Sequence, residues 1–118
     1  MAGGDHMKPL VWLRGEVKTP PMSAAARIEI GFLLRQLQRG MSLGMPFSRP
    51  LPSIGSSVHE LRVRDGDNDW RLVYRIDVDA IVIVDVFAKR SRATPHRMIE
   101  IGRERLRRYD AGGVKEEL

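Results

Sequence analysis

The chain has 118 residues, 42% of them hydrophobic, which suits one small domain and leaves no room for a second. Its 20 Lys plus Arg against 15 Asp plus Glu leave a net charge of +5, a balance that points toward nucleic acid or acidic partners. Cysteine is absent, which excludes a disulfide framework, a thiolate zinc site and sulfur redox chemistry, and fits a reducing cytosol.

The opening Met1-Ala-Gly-Gly-Asp-His-Met7 reads as a cloning scar with Met7 as the native start, so His6 carries no functional weight. It lacks the basic stretch followed by an apolar one that marks a signal peptide. Leu10, Val11, Trp12 and Leu13 predict a short opening strand, closed by Arg14-Gly15. Pro9 beside it is tolerated at a strand's first residue or on an edge, where no N–H is needed. Lys18-Thr-Pro-Pro-Met-Ser23 is a turn that ends on a serine suited to cap a helix. From Ser23 to Arg39 the residues Ala26, Ile30, Leu33, Leu34 and Leu37 recur at helical spacing, and Gly40 ends the run. Met41 to Ser57 is rich in Gly and Pro and is expected to be an ordered but irregular connection.

A three-stranded meander follows. In Val58 to Arg64, Leu61 and Val63 share one face while Glu60, Arg62 and Arg64 share the other. Trp70, Leu72, Tyr74 and Ile76 repeat the alternation and leave Arg71, Val73 and Arg75 opposite. If the apolar faces pair, Arg62, Arg64, Arg71 and Arg75 lie on one surface. Asp77-Val-Asp79 turns the chain into Ala80 to Ala88, whose Ile and Val content predicts a strand covered on both faces, inside the sheet. Broken by Asp85, that run is far too short to cross a bilayer as a helix. Asp85 itself is expected to pair with one of the sheet arginines. Thr94-Pro95 signals a second helix, with Ile99, Gly102, Leu106 and Tyr109 on its inner face and Arg103, Arg107 and Arg108 outside. The domain therefore runs over residues 8–110, after the scar at 1–7 and before a fraying tail at 111–118. A single core layer between sheet and helices is the expected packing.

The pieces Val17-Lys-Thr-Pro-Pro, Ala26-Arg-Ile-Glu-Ile-Gly-Phe-Leu-Leu-Arg, Ser48-Arg-Pro-Leu-Pro-Ser-Ile-Gly, His59-Glu-Leu-Arg, Trp70-Arg-Leu-Val-Tyr-Arg and Phe87-Ala-Lys-Arg-Ser, followed by Thr94-Pro95, resemble the RelE/ParE superfamily of type II toxins. The likeness is greatest to its phage-derived HigB-like branch and covers most of Trp12 to Asp110. It implies an α+β RelE-like fold: a mainly antiparallel sheet packed against an N-terminal helix, with a basic C-terminal helix beside the active surface. It also implies a toxin that cuts mRNA in the ribosome without a metal or other cofactor and is neutralised, as a hetero-oligomer, by a helix-turn-helix antitoxin. No membrane partner is implied. Residue by residue, Arg71 falls on the position that contacts the scissile phosphate in RelE-like nucleases, Lys89 and Arg90 on the basic pair closing the last strand, and Arg62 on the arginine of the Leu-Arg step. His96 lands close to a position held by tyrosine or histidine in relatives. Glu60 stands where RelE carries a lysine, so the base does not transfer.

Such cleavage needs a base for the 2′-OH, cations for the phosphorane and an acid for the leaving 5′-oxygen. Arg71, Lys89 and Arg90 suit the cationic task, since a guanidinium fork binds phosphate bidentately and stays charged. His59 and His96 titrate near neutrality, with Glu60 as the carboxylate alternative. His59 shares the parity of Leu61 and Val63, so a hydrogen-bonded core histidine is the stronger reading for it, and His96 reads also as a solvated cap. Arg62, Arg64, Arg75, Arg92 and Arg97 are the candidate RNA contacts. Ion pairing with Asp77 or Asp85 is the other reading for the sheet arginines, and pairing with Glu100 and Glu104 for the helix ones. Trp70 and Tyr74, with apolar parity, are expected in the core. Asp65-Gly-Asp-Asn-Asp69 is no calcium loop, because its glycine is misplaced and Ile76 stands where the bidentate glutamate belongs. Two rivals stay open: a ParE-like gyrase inhibitor that breaks no bond itself, and a phage-derived RNA-binding module without toxicity.

Overall fold

Residues 58–88 form the three antiparallel strands that organise everything else. In a computed structural model that describes residues 7–89 and 95–112, they are β3 (Val58–Asp65), β4 (Asn68–Ile76) and β5 (Ile81–Ala88). The β3–β4 hairpin pairs Val58 with Arg75, Arg62 with Arg71 and Asp65 with Asn68. Only Gly66 and Asp67 remain for the turn, and Gly66 takes φ +61° there. Glycine suits that place because a two-residue hairpin needs positive φ at its first central position.

Two further strands and two helices complete the domain: β1 (Leu10–Trp12), α1 (Ala24–Gln38), β2 (Ser48–Pro50) and α2 (His96–Asp110). The sheet order is β1-β5-β4-β3-β2, with β1 parallel to β5 and the other pairs antiparallel. The long connection after α1 thus contains a strand that periodicity did not reveal. β2 has only three residues, one a proline, which an edge position accepts.

Strand alternation sends side chains to both faces, and each face has its own core. Leu61, Val63, Trp70, Leu72, Tyr74, Ile81 and Ile83 pack against Ala26, Ile30, Leu33, Leu34 and Leu37 of α1. Val58, Val73, Val82 and Val84 pack with Leu51, Ile54 and Leu106 on the opposite face, joined by Ile99 and Tyr109 of α2. The single core layer expected from the sequence is therefore two layers around one sheet. Leu51 and Ile54, from the irregular connection, supply what α2 alone is too polar to provide.

α1 begins where Ser23 caps it, its Oγ accepting from the Ala26 N–H at 3.0 Å. The Ser23 N–H donates to Asp65 Oδ2 at 2.9 Å, and the Trp70 indole N–H donates to the same oxygen at 3.1 Å. One carboxylate thereby ties the helix start to the hairpin. α2 can lie close to its neighbours because residue 102 lacks a side chain: a Cβ there would stand 3.2 Å from Ile54 Cδ1. Pro95 is its N-cap and makes no side-chain capping bond. Asp85 does not pair with Arg62, Arg64 or Arg75 as expected; Arg105 of α2 holds it at 3.2 Å and also donates to the Val84 carbonyl at 2.9 Å. A bulge at Val84, skipped where Tyr74 pairs with Ile83 and Val73 with Asp85, puts Asp85 on the α2 face; Arg105 takes it there, while Arg75 on that same face is held by Asp77 and Asp110. Among the described residues no helix is long and apolar enough to cross a membrane.

Candidate functional site

Two residues beyond the valines that α2 covers, the same sheet face becomes charged. Glu60 follows Val58 by one alternation on β3, and Arg71 precedes Val73 by one on β4. Both are buried, Glu60 at 0% and Arg71 at 2% exposure. Glu60 Oε1 accepts from Arg71 Nη1 and from Arg49 Nε, each at 3.1 Å. Arg71 Nη2 donates to Asp69 Oδ2 at 2.9 Å. Its Nε, also buried, has no hydrogen-bond partner among the described residues. Pairing is what makes burial of these charges tolerable, since a lone one would cost several kcal/mol, on the order of 3–5.

Lys89 joins the cluster at the end of β5, where its N–H donates to the Asp69 carbonyl at 2.8 Å. At 5% exposure its ammonium is held below the ordinary lysine pKa, first by burial. Glu60 opposes that shift, while Arg71, Arg49 and Arg62 add to it. Arg62 lies directly opposite Arg71 in the ladder and is partly exposed. A cavity of about 350 Å³ opens beside it, lined by Glu29, Pro46, Phe47, Arg62, Arg64 and Asp69. The arrangement thus offers anion-binding arginines at a mouth and a lysine that gives up its proton more readily than usual.

The remaining expected site residues go elsewhere. His59 stands on the α1 face of the sheet, its ring stacked on Tyr74 at 5.5 Å between centroids, so it does not meet Arg71 or Lys89. His96 is exposed and bonds Glu100 at 3.1 Å; no described hydrogen bond or ion pair joins it to the cluster. Arg75 shares the sheet face of Arg71 but lies four residues away, about 13 Å along the strand. It is held bidentately by both Asp77 and Asp110, which raise its pKa further, so it belongs to the attachment of α2 rather than to an open surface. Arg97 is exposed on α2. Arg90 and Arg92 lie outside the described residues. Trp70 and Tyr74 are in the core, as their parity requires, and burial pushes the Tyr74 hydroxyl up in pKa while Ser48 Oγ meets it at 2.7 Å. Sequence reasoning missed Arg49 and Asp69. Arg49 was legible only through β2, which brings it opposite Glu60.

Among the described residues no group of His, Asp or Glu is placed to hold a metal ion. The chain is thus a small basic α+β domain whose five-stranded sheet lies between two helices and carries a buried ion cluster that opens onto arginines. Residues 21–107 match the family described as Phage derived protein Gp49-like (DUF891). That match spans most of the chain, which belongs to this phage-derived family, one associated with RelE/HigB-like toxins of toxin–antitoxin systems. No curated protein matches the chain.

Proposed function

We propose that the protein is the toxin of a type II toxin–antitoxin pair and cleaves mRNA at the ribosome by a metal-independent route, on the sheet face that carries Glu60, Arg71 and Lys89. A helix-turn-helix antitoxin is its proposed neutralising partner, as the resemblance implies. The observation that carries the reading is Lys89, a buried lysine of lowered pKa whose backbone N–H bonds Asp69, a residue that lines the open cavity together with Arg62 and Arg64. In its neutral form Lys89 Nζ takes the proton of the 2′-OH; the 2′-oxygen bonds to phosphorus as the P–O5′ bond breaks, and the departing 5′-oxygen takes a proton from water, leaving a 2′,3′-cyclic phosphate. Arg62 and Arg64 hold the flanking phosphates, and Arg71, pinned by Glu60, supplies charge from beneath. For direct contact with Arg71 the phosphate has to displace Asp69, the one of its two carboxylate partners that reaches the cavity.

Induction of the wild type in cells, followed by mapping of RNA 5′ ends, should give ribosome-phased cuts that disappear in Lys89→Met and Arg62→Ala. Wild-type arrest without RNA cuts would sink the reading. The engagement of Arg71 by two carboxylates favours a second possibility, a gyrase inhibitor that performs no bond-breaking itself. Gyrase-dependent DNA breaks in place of RNA cuts would establish it.

A further inference from the structure

The outer side of α1 has properties that nothing inside the domain explains. Ile28 and Phe32, one turn apart, are 64% and 57% exposed. Phe47, Pro46 and Met45 are exposed nearby, since Glu29, between Ile28 and Phe32 in sequence, lines the same cavity as Pro46 and Phe47. Mid-helix Gly31 sits beside them. A Cβ at Gly31 would meet nothing within 4 Å, whereas at Gly102 it would crowd Ile54. The helix therefore accepts a poor helix former without any packing reason of its own. Such a gap is useful where another backbone must come near.

The charges around this patch are also unusual. Arg49, Arg71, Arg75, Arg105, Arg107 and Arg108 each hold a carboxylate. Arg27, Arg35 and Arg39, on the exposed side of α1, have no carboxylate within ion-pair distance among the described residues, nor do Arg62 and Arg64 at the cavity. Arg14, Arg97 and Arg103 elsewhere also lack a carboxylate among the described residues, but on α1 three such cations, against the single acid Glu29, flank the exposed apolar stripe. A second copy of the chain fits poorly: two α1 helices crossing antiparallel at Gly31 would set Arg27 of one against Arg35 of the other, each four residues from the glycine.

We propose that the outer face of α1, with Phe47 at its side, docks an acidic amphipathic helix of another protein. Its apolar stripe covers Ile28 and Phe32, its backbone passes over Gly31, and its carboxylates meet Arg27, Arg35 and Arg39. Ile28, Phe32 and Gly31 lie across the sheet from the Glu60 cluster, while Phe47 borders the cavity proposed for RNA, so the variants that test the docking are confined to α1.

The test uses the full chain and a synthetic helical peptide about three heptads long, with leucines at i, i+3 and i+4 spacing and glutamates flanking them. Titration by calorimetry should show binding that weakens with salt. Ile28→Asp and Arg35→Glu should each weaken it about tenfold or more. Gly31→Leu should weaken it too while the melting temperature of the free protein holds or rises, an outcome a structural role for the glycine would not give. Absence of binding, equal binding of a lysine-flanked peptide, or undiminished binding by the folded variants would overturn the proposal. So would a wild-type dimer in sedimentation that Ile28→Asp dissociates, since the occupant would then be a second copy.

Discussion

At the level of single residues the buried ions of the sheet face do two separable things. Glu60 and Arg71 hold β3 to β4 in a place where each would be intolerable alone. Glu60→Ala leaves Arg71 buried with only Asp69 and should cost about 3 kcal/mol or more in chemical denaturation. Replacing the pair together, Glu60→Leu with Arg71→Leu, should recover most of that loss, because Arg49 and Asp69 are each about one-third exposed and can be solvated instead. Lys89 behaves differently. Its lowered pKa means that folding works against its charge, so stability should rise with pH between its folded pKa and the ordinary lysine value, where only the unfolded chain still holds the proton. Lys89→Met should therefore stabilise the protein at neutral pH by on the order of 1 kcal/mol while abolishing the proposed cleavage. Paired urea melts at pH 7 and pH 10 check this, with the advantage of the variant shrinking at the higher pH.

At the level of elements, the parts legible in sequence are those whose periodicity is dictated by burial on a known face. The α1 stripe Ala26, Ile30, Leu33, Leu34 and Leu37 is buried as its spacing requires, and the Ser23 cap is in place. Ser23→Ala should cost about 1 kcal/mol, read as a lower denaturation midpoint with unchanged slope. Gly31→Ala should have the opposite sign and a similar size, about 1 kcal/mol, since the added methyl meets open space. What periodicity could not show was β2, where three residues make too short a sample, and the bulge at Val84, which sets Asp85 on the face of α2, where Arg105 takes it. The site was half legible for the same reason. Strand parity correctly put Glu60, Arg62 and Arg71 on one face, and it also put His59 on the other. Arg49 and Asp69 complete the cluster through β2 and a hairpin end, and neither carries a periodic signal.

For the molecule as a whole, one sheet serves two helices whose attachments differ in kind. α1 is held by a broad apolar interface and by Asp65 at its start. α2 is a mostly polar helix that inserts Leu106, Ile99 and Tyr109 and is otherwise fastened by ions: Arg105 to Asp85 near its middle, and Asp110 to Arg75 at its end. Hydrogen bonding to Arg75 holds the Asp110 carboxyl below its usual pKa, so this bond contributes above the unfolded value near 3.8 and is lost as pH falls through the folded one. Asp110 is more than half exposed, which keeps its contribution within about 1 kcal/mol after solvent screening. Backbone Ser23 lowers Asp65 in the same sense, so both helix attachments weaken in acid. The expected order follows from their apolar shares: hydrogen exchange should show the C-terminal turns of α2 opening first as pH falls below about 4, with α1 protected until global unfolding. Asp110→Asn should bring α2 opening at pH 7 close to that of the acidified wild type and leave α1 unchanged. Equal exchange of both helices at every pH would show instead that the ion pair at Asp110 has no part in holding α2 to the sheet.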